Sequence, residues 1–189
     1  QKNVGVSSPS REQLRNLLEH YKAGRIEDAE KLATSITKKC PAHPFSWHVL
    51  GAVLKQTGRI AESLTATQKS VQFAPRDAGV HSHLGVTLQE LGRLEEAEAS
   101  YRRAIVLKPD YAEAHYNLGN TLKELARLEE AEASFTQAIA LNPDFAEAHY
   151  NLGNTFKDVG RLEEAVAQHT KVIALRPDYA EAYSNLGSS

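Results

Sequence analysis

Residues 112–145 read AEAHYNLGNTLKELARLEEAEASFTQAIALNPDF, and residues 146–179 read AEAHYNLGNTFKDVGRLEEAVAQHTKVIALRPDY. The two stretches align without a gap and agree at 23 of 34 places. Tandem similarity of this kind means one supersecondary unit stacked on copies of itself, because a single unit cannot bury its apolar face alone. The same phase runs backwards through residues 78–111 and 44–77 and, more weakly, 10–43. It runs forward into residues 180–187, AEAYSNLG. The expected organisation is a disordered or linker segment at residues 1–9 and one repeat array at 10–187. The array holds five 34-residue repeats (10–43, 44–77, 78–111, 112–145 and 146–179) and a partial sixth at 180–187, with 188–189 as terminal residues.

Within a repeat the apolar residues fall on two helical stripes. Ala114, Leu118, Leu122 and Leu125 are spaced by four, four and three, and Leu128, Ala131, Phe135, Ala138 and Leu141 by three or four. This predicts a helix over about 112–125 and another over 128–141. The turn between them carries glycine at Gly58, Gly92 and Gly160, where a left-handed backbone ends a helix. Ala126 takes that place in the fourth repeat, so it too is predicted to have positive φ. The second helix opens on Leu-Glu-Glu, acidic groups that suit a helix N-terminus. Pro41, Pro75, Pro109, Pro143 and Pro177 stop it. Asp110, Asp144 and Asp178, each followed three residues later by Glu113, Glu147 or Glu181, predict a capping box for the next helix. Gly85 and Ala97 are small enough to let paired helices approach closely.

These features together resemble the tetratricopeptide repeat: the 34-residue period, the Leu-Gly pairs (Leu50-Gly51, Leu84-Gly85, Leu118-Gly119, Leu152-Gly153), the second-helix alanines Ala97, Ala131 and Ala165, the aromatics Tyr101 and Phe135 four places on, and the closing proline. The resemblance covers nearly the whole chain. It implies an all-α fold, a right-handed superhelical α-solenoid of stacked antiparallel helix pairs whose concave wall is lined by the first helix of each pair. Leu17-Leu18 in place of Leu-Gly marks the first repeat as a divergent cap. Thr67 and His169 at the aromatic place predict looser packing there.

The resemblance also places side chains on the concave wall: Glu113, Tyr116, Asn117, Asn120, Lys123 and Glu124 in the fourth repeat, and Glu147, Tyr150, Asn151, Asn154, Lys157 and Asp158 in the fifth. Asn117, Asn151 and Asn185 recur every 34 residues, with Asn120 and Asn154 as a second row. An amide offers donors and an acceptor, and so suits the backbone of an extended peptide. Asparagine is also a mediocre helix former, so helix propensity does not account for it. The alternative is that the amides tie one hairpin to the next. The ladder resembles the repeat arm of the protein O-linked N-acetylglucosamine transferases, and bacterial repeat scaffolds are similar. The lysine- and arginine-rich clamp of chaperone-tail binders is not matched, since Ser82, His83, Glu113, Tyr116 and Asn117 stand at the comparable places.

Composition narrows the remaining classes. The net charge of −2 argues against a nucleic-acid binder. Residues 1–77 carry 12 Lys and Arg against 7 Asp and Glu, a balance of +5, and residues 78–189 balance at −7. No run of 18 apolar residues predicts a membrane span. Cys40 is the single cysteine and reads as an inert thiol. His81, His115 and His149 share one phase, the place held by Trp47 in the second repeat, so packing is expected of them rather than metal ligation. No motif for a nucleophile, cofactor or metal is found, and no enzymatic activity is expected. The expected function is a protein–protein interaction scaffold that binds a peptide or partner protein in the groove, through Asn117, Asn120, Asn151, Asn154, Asn185, Tyr116, Tyr150, Lys123, Lys157, Glu113 and Glu147. The alternatives are a recognition arm of a larger enzyme such as a glycosyltransferase, and a self-assembling scaffold with weak homo-oligomer contacts through the C-terminal end. A cytoplasmic location is expected. The chain starts at Gln1 and holds no Met, so further residues are expected before it.

Overall fold

The computed structural model describes residues 8–177. The expectations for residues 1–7, for Asn185 and for the partial sixth repeat lie outside them. The described residues form ten helices and no strand: α1 (Arg11–Lys22), α2 (Ile26–Lys39), α3 (Pro44–Gln56), α4 (Ile60–Phe73), α5 (Ala78–Glu90), α6 (Leu94–Leu107), α7 (Ala112–Glu124), α8 (Leu128–Leu141), α9 (Ala146–Asp158) and α10 (Leu162–Leu175). The helix pairs α1–α2, α3–α4, α7–α8 and α9–α10 each form a hairpin, and the chain is an all-α helical repeat solenoid. The helices gather into two compact units, one ending at Arg93 and the other beginning at Leu94.

In the first unit α1 pairs with α2 and α3 with α4, and α3 and α5 continue the stack against α2 and α4. Its core is made by Leu17, Ala29, Ala33, Ile36, Val49, Leu50, Val53 and Leu54, with Tyr21, Phe45 and Trp47 at its border. Cys40 is buried there as well. In the second unit α7 pairs with α8 and α9 with α10, while α6 packs on α7 and α8 on α9. Ala114, Leu118, Leu122, Phe135, Ala148, Leu152 and Val172 are buried in it. Of the stripes read from the sequence, Ala114, Leu118, Leu122, Ala131, Phe135 and Ala138 are buried, and Leu125, Leu128 and Leu141 are half-buried.

The turns inside the hairpins have the predicted conformation. Gly24, Gly58, Gly92 and Gly160 lie at φ between 68° and 80°, and Ala126 is the one described non-glycine with positive φ, at 58°. A Cβ in the left-handed region costs about 1–2 kcal/mol. Ala126→Gly is therefore expected to raise stability by about 0.5–1 kcal/mol once the extra freedom of glycine in the unfolded chain is subtracted. Urea denaturation checks this, and an unchanged or lowered midpoint would contradict it.

The arginine after three of these turns has a structural reason. Arg59 binds Glu62 of its own hairpin and Glu30 of the preceding one. Arg127 repeats this with Glu130 and Glu98, and Arg161 with Glu164 and Glu132. Exposed pairs each contribute little. A fork shared between two hairpins nevertheless fixes their register.

The expected capping boxes at Asp110 and Asp144 are not formed. The N-caps of α7 and α9 are Tyr111 and Phe145, one residue later, and neither makes a side-chain cap bond. Capping by aspartate requires the last place of the repeat. Asp77 occupies it and accepts from the backbone N–H of Gly79 (2.8 Å) and Val80 (3.3 Å). A true capping box closes α1, where Ser10 accepts from Gln13 N–H and the Gln13 side chain accepts from Ser10 N–H. Glu147, freed from the expected cap, pairs with Arg176 of its own repeat.

The close helix approach is visible at three glycines. A Cβ placed on Gly51, Gly119 or Gly153 would stand 2.6–2.7 Å from Thr67, Phe135 or His169. Thr67 and His169 are fully buried, and they sit on their glycines as closely as Phe135 does. The looser packing expected at these two places is therefore not found, because the glycine faces whatever side chain the second helix presents.

Candidate functional site

α7 and α9 are first helices of adjacent hairpins in the second unit and touch each other. Three helical turns of each bring the predicted amides onto adjoining faces. The Asn151 amide donates to Asn120 Oδ1 at 2.7 Å and to the Tyr116 hydroxyl at 3.2 Å. Tyr116 is itself held by rings, with Phe145 4.8 Å and Phe135 6.0 Å away. Thr121 and Thr155 bond back to the carbonyls of Asn117 and Asn151. All four asparagines and both tyrosines, Tyr116 and Tyr150, are half-exposed. The result is one polar row in which Asn151 is locked by its neighbours, while the side chain of Asn117 makes no hydrogen bond among the described residues.

Asn154 meets the second helix of its own hairpin. Its Oδ1 lies 3.2 Å from His169 Nε2, and the His169 ring is 5.6 Å from that of Tyr150. His169 Nδ1 is buried without a partner among the described residues. Burial, and then the nearby Lys157 charge, hold this histidine below its ordinary pKa.

The predicted charges are partly spent inside the chain. Lys123 pairs with Asp158 of the next repeat at 3.0 Å, and Glu147 with Arg176. Glu113 is exposed. The Lys123–Asp158 pair repeats a rung of the first unit, Lys55–Glu90 at 3.2 Å, with the same 35-residue separation. The Asn151–Tyr116 rung likewise has a first-unit counterpart, His83–His48, with Nδ1 atoms 3.4 Å apart. This pairing was missed in the sequence, although it was detectable as one place of a repeat facing the preceding place of the repeat before it.

His81, His115 and His149 each place Nε2 3.0–3.1 Å from the carbonyl of Pro75, Pro109 or Pro143, six residues back. Trp47 makes the same bond to Pro41 at 2.7 Å. A carbonyl only accepts, so the ring N–H donates, and each ring staples the start of a hairpin to the end of the one before it. No group of three or more His, Cys, Asp or Glu is placed to hold a metal among the described residues. No helix among them is long and apolar enough to cross a membrane.

A face of amides on repeated helical hairpins defines a class of repeat protein, and comparison with known families agrees. The TPR repeat family matches residues 87–125 and 153–189, and two further tetratricopeptide repeat families match 112–145 and 134–167. The chain belongs to the tetratricopeptide repeat proteins. It is similar in fold to YrrB, described as a TPR protein with an unusual peptide-binding site (20% identity, 93% of this chain and 91% of that one, TM-score 0.77). It is also similar to MamA from Desulfovibrio magneticus RS-1 (20%, 89% and 96%, TM-score 0.80). TTC0263, a thermophilic TPR protein of Thermus thermophilus, shares 28% identity over 94% of this chain and 97% of its own, with a TM-score of 0.71. No curated protein matches the chain by sequence.

Proposed function

We propose that this chain is a protein–protein interaction scaffold that holds an extended segment of a partner against the first-helix faces of α7 and α9. The observation that supports this best is the state of the amide row. Asn151 is fixed by Asn120 and Tyr116, and Asn117 beside it has donors and an acceptor to offer. An amide already held in one rotamer loses little entropy on binding, so such a row is preorganised for a peptide backbone. Lys123 and Glu147 already have partners within the chain, which leaves the uncharged amides as the main recognition groups. The peptide-binding site of YrrB, on a similar fold, is consistent with this reading.

The pattern of bonds separates binding from stability. Asn117→Ala removes no hydrogen bond within the chain and introduces a better helix former, so stability is expected to hold or rise slightly. Calorimetric titration with an unstructured peptide selected on the parent chain is expected to show a loss of about 1–3 kcal/mol in affinity, the cost of leaving a buried peptide group unpaired. Asn151→Ala is expected to weaken binding and also to cost about 1 kcal/mol of stability through its lost rung. Undiminished peptide affinity in Asn117→Ala would sink the proposal.

A further inference from the structure

His48 on α3 and His83 on α5 face one another within the first unit. Their Nδ1 atoms are 3.4 Å apart, and their ring centroids are 4.7 Å apart with planes at 68°. Both rings are half-buried, and neither shares the phase of the histidines that staple proline carbonyls. Two ligands of a tetrahedral ion at about 2.0–2.1 Å stand about 3.4 Å from each other. The pair therefore already has the bite of a chelate.

We propose that His48 and His83 form a two-imidazole clamp for a divalent transition ion of the zinc, nickel or copper type. The donor chemistry selects this class: imidazole suits these ions, whereas magnesium and calcium require oxygen cages. In the metal-free pair one Nδ1–H donates to the other Nδ1. On binding, that proton moves to Nε2 of the same ring, a small rotation turns both Nδ1 lone pairs onto the ion, and no proton is released. A cavity of about 270 Å³ lies beside His48, lined also by Phe45, Asp77 and Val80, and the Asp77 carboxylate there favours a cation. Lys55, the opposing charge, is occupied by Glu90 at 3.2 Å.

The repeats themselves supply the control. In the second unit the same rung is Tyr116–Asn151, so His48→Tyr combined with His83→Asn rebuilds a hydrogen-bonded pair that this fold already uses and removes both ligands. ZnCl2 titrated into the parent chain at neutral pH is expected to fill one site, to shift the His48 and His83 imidazole resonances together, and to raise the thermal midpoint. In the double variant the affinity is expected to fall more than about tenfold, since losing even an outer-shell partner costs that much. His83→Gln gives the same comparison should the double variant lose helical content. Equal zinc affinity in parent and variant would overturn the clamp, as would zinc binding that moves only other histidine resonances, or no binding by the parent.

Discussion

Phe135→Ala is expected to destabilise the chain by about 3–5 kcal/mol. The ring is fully buried, and it lies so close to Gly119 that a Cβ there would stand 2.6 Å from it. The site cannot collapse into the space, because its nearest wall is the backbone of α7 with no side chain to move. Gly119→Ala attacks the same contact from the other side. Overpacking of about 1–3 kcal/mol sets in there, offset by about 1 kcal/mol of helix propensity. The two changes share one contact, so the double variant is expected to fall short of the sum, and urea denaturation of the cycle reads the difference. A loss under about 1 kcal/mol for Phe135→Ala would contradict the packing described.

Acidification from pH 6.5 to pH 4.5 is expected to weaken the fold through its buried histidines. His43, His48, His83 and His169 all have pKa values below 6.5 in the folded chain, with burial the largest cause in each. A depressed histidine binds fewer protons folded than unfolded, so its stabilisation is present above pH 6.5 and is lost as pH falls towards the folded value. For His83, whose folded value is about 3, the loss across this window is about 2 kcal/mol. The carboxylates Glu62, Glu130 and Glu164, held below 4.5 chiefly by hydrogen bonds from Arg59, Arg127 and Arg161, add their share only at lower pH. Urea midpoints at steps through this range measure the effect, and His48→Tyr with His83→Asn should flatten it. A stability independent of pH above 4.5 would contradict the burial of these rings.

What the sequence revealed follows from what repeats in it. Helix bounds, the left-handed Ala126 and the buried stripe are set by local spacing and by the identity of single residues, and all were legible. The capping boxes at Asp110 and Asp144 were misread because Asp-x-x-Glu carries no mark of where the helix starts, and the aromatic N-caps Tyr111 and Phe145 displaced it by one residue. The bonds that organise the candidate site were hidden for another reason. Asn151 to Tyr116, His83 to His48, Lys123 to Asp158 and Arg127 to Glu98 join places 29 or 35 residues apart, which is one repeat plus or minus a helical offset. Such pairs become visible only when one hairpin is laid on the next. Laid on each other in this way, the hairpins show the Asn151 amide tying one to the next, while the Asn117 side chain makes no hydrogen bond among the described residues.

The most direct test of the account is to map, by side-chain amide resonances of the 15N-labelled chain, where an unstructured peptide that the chain binds makes contact. The account predicts that the Asn117, Asn120, Asn151 and Asn154 amides shift with the peptide and saturate together, Asn117 most strongly. Shifts confined to the second helices α8 and α10, with these four amides unmoved at saturation, would contradict it.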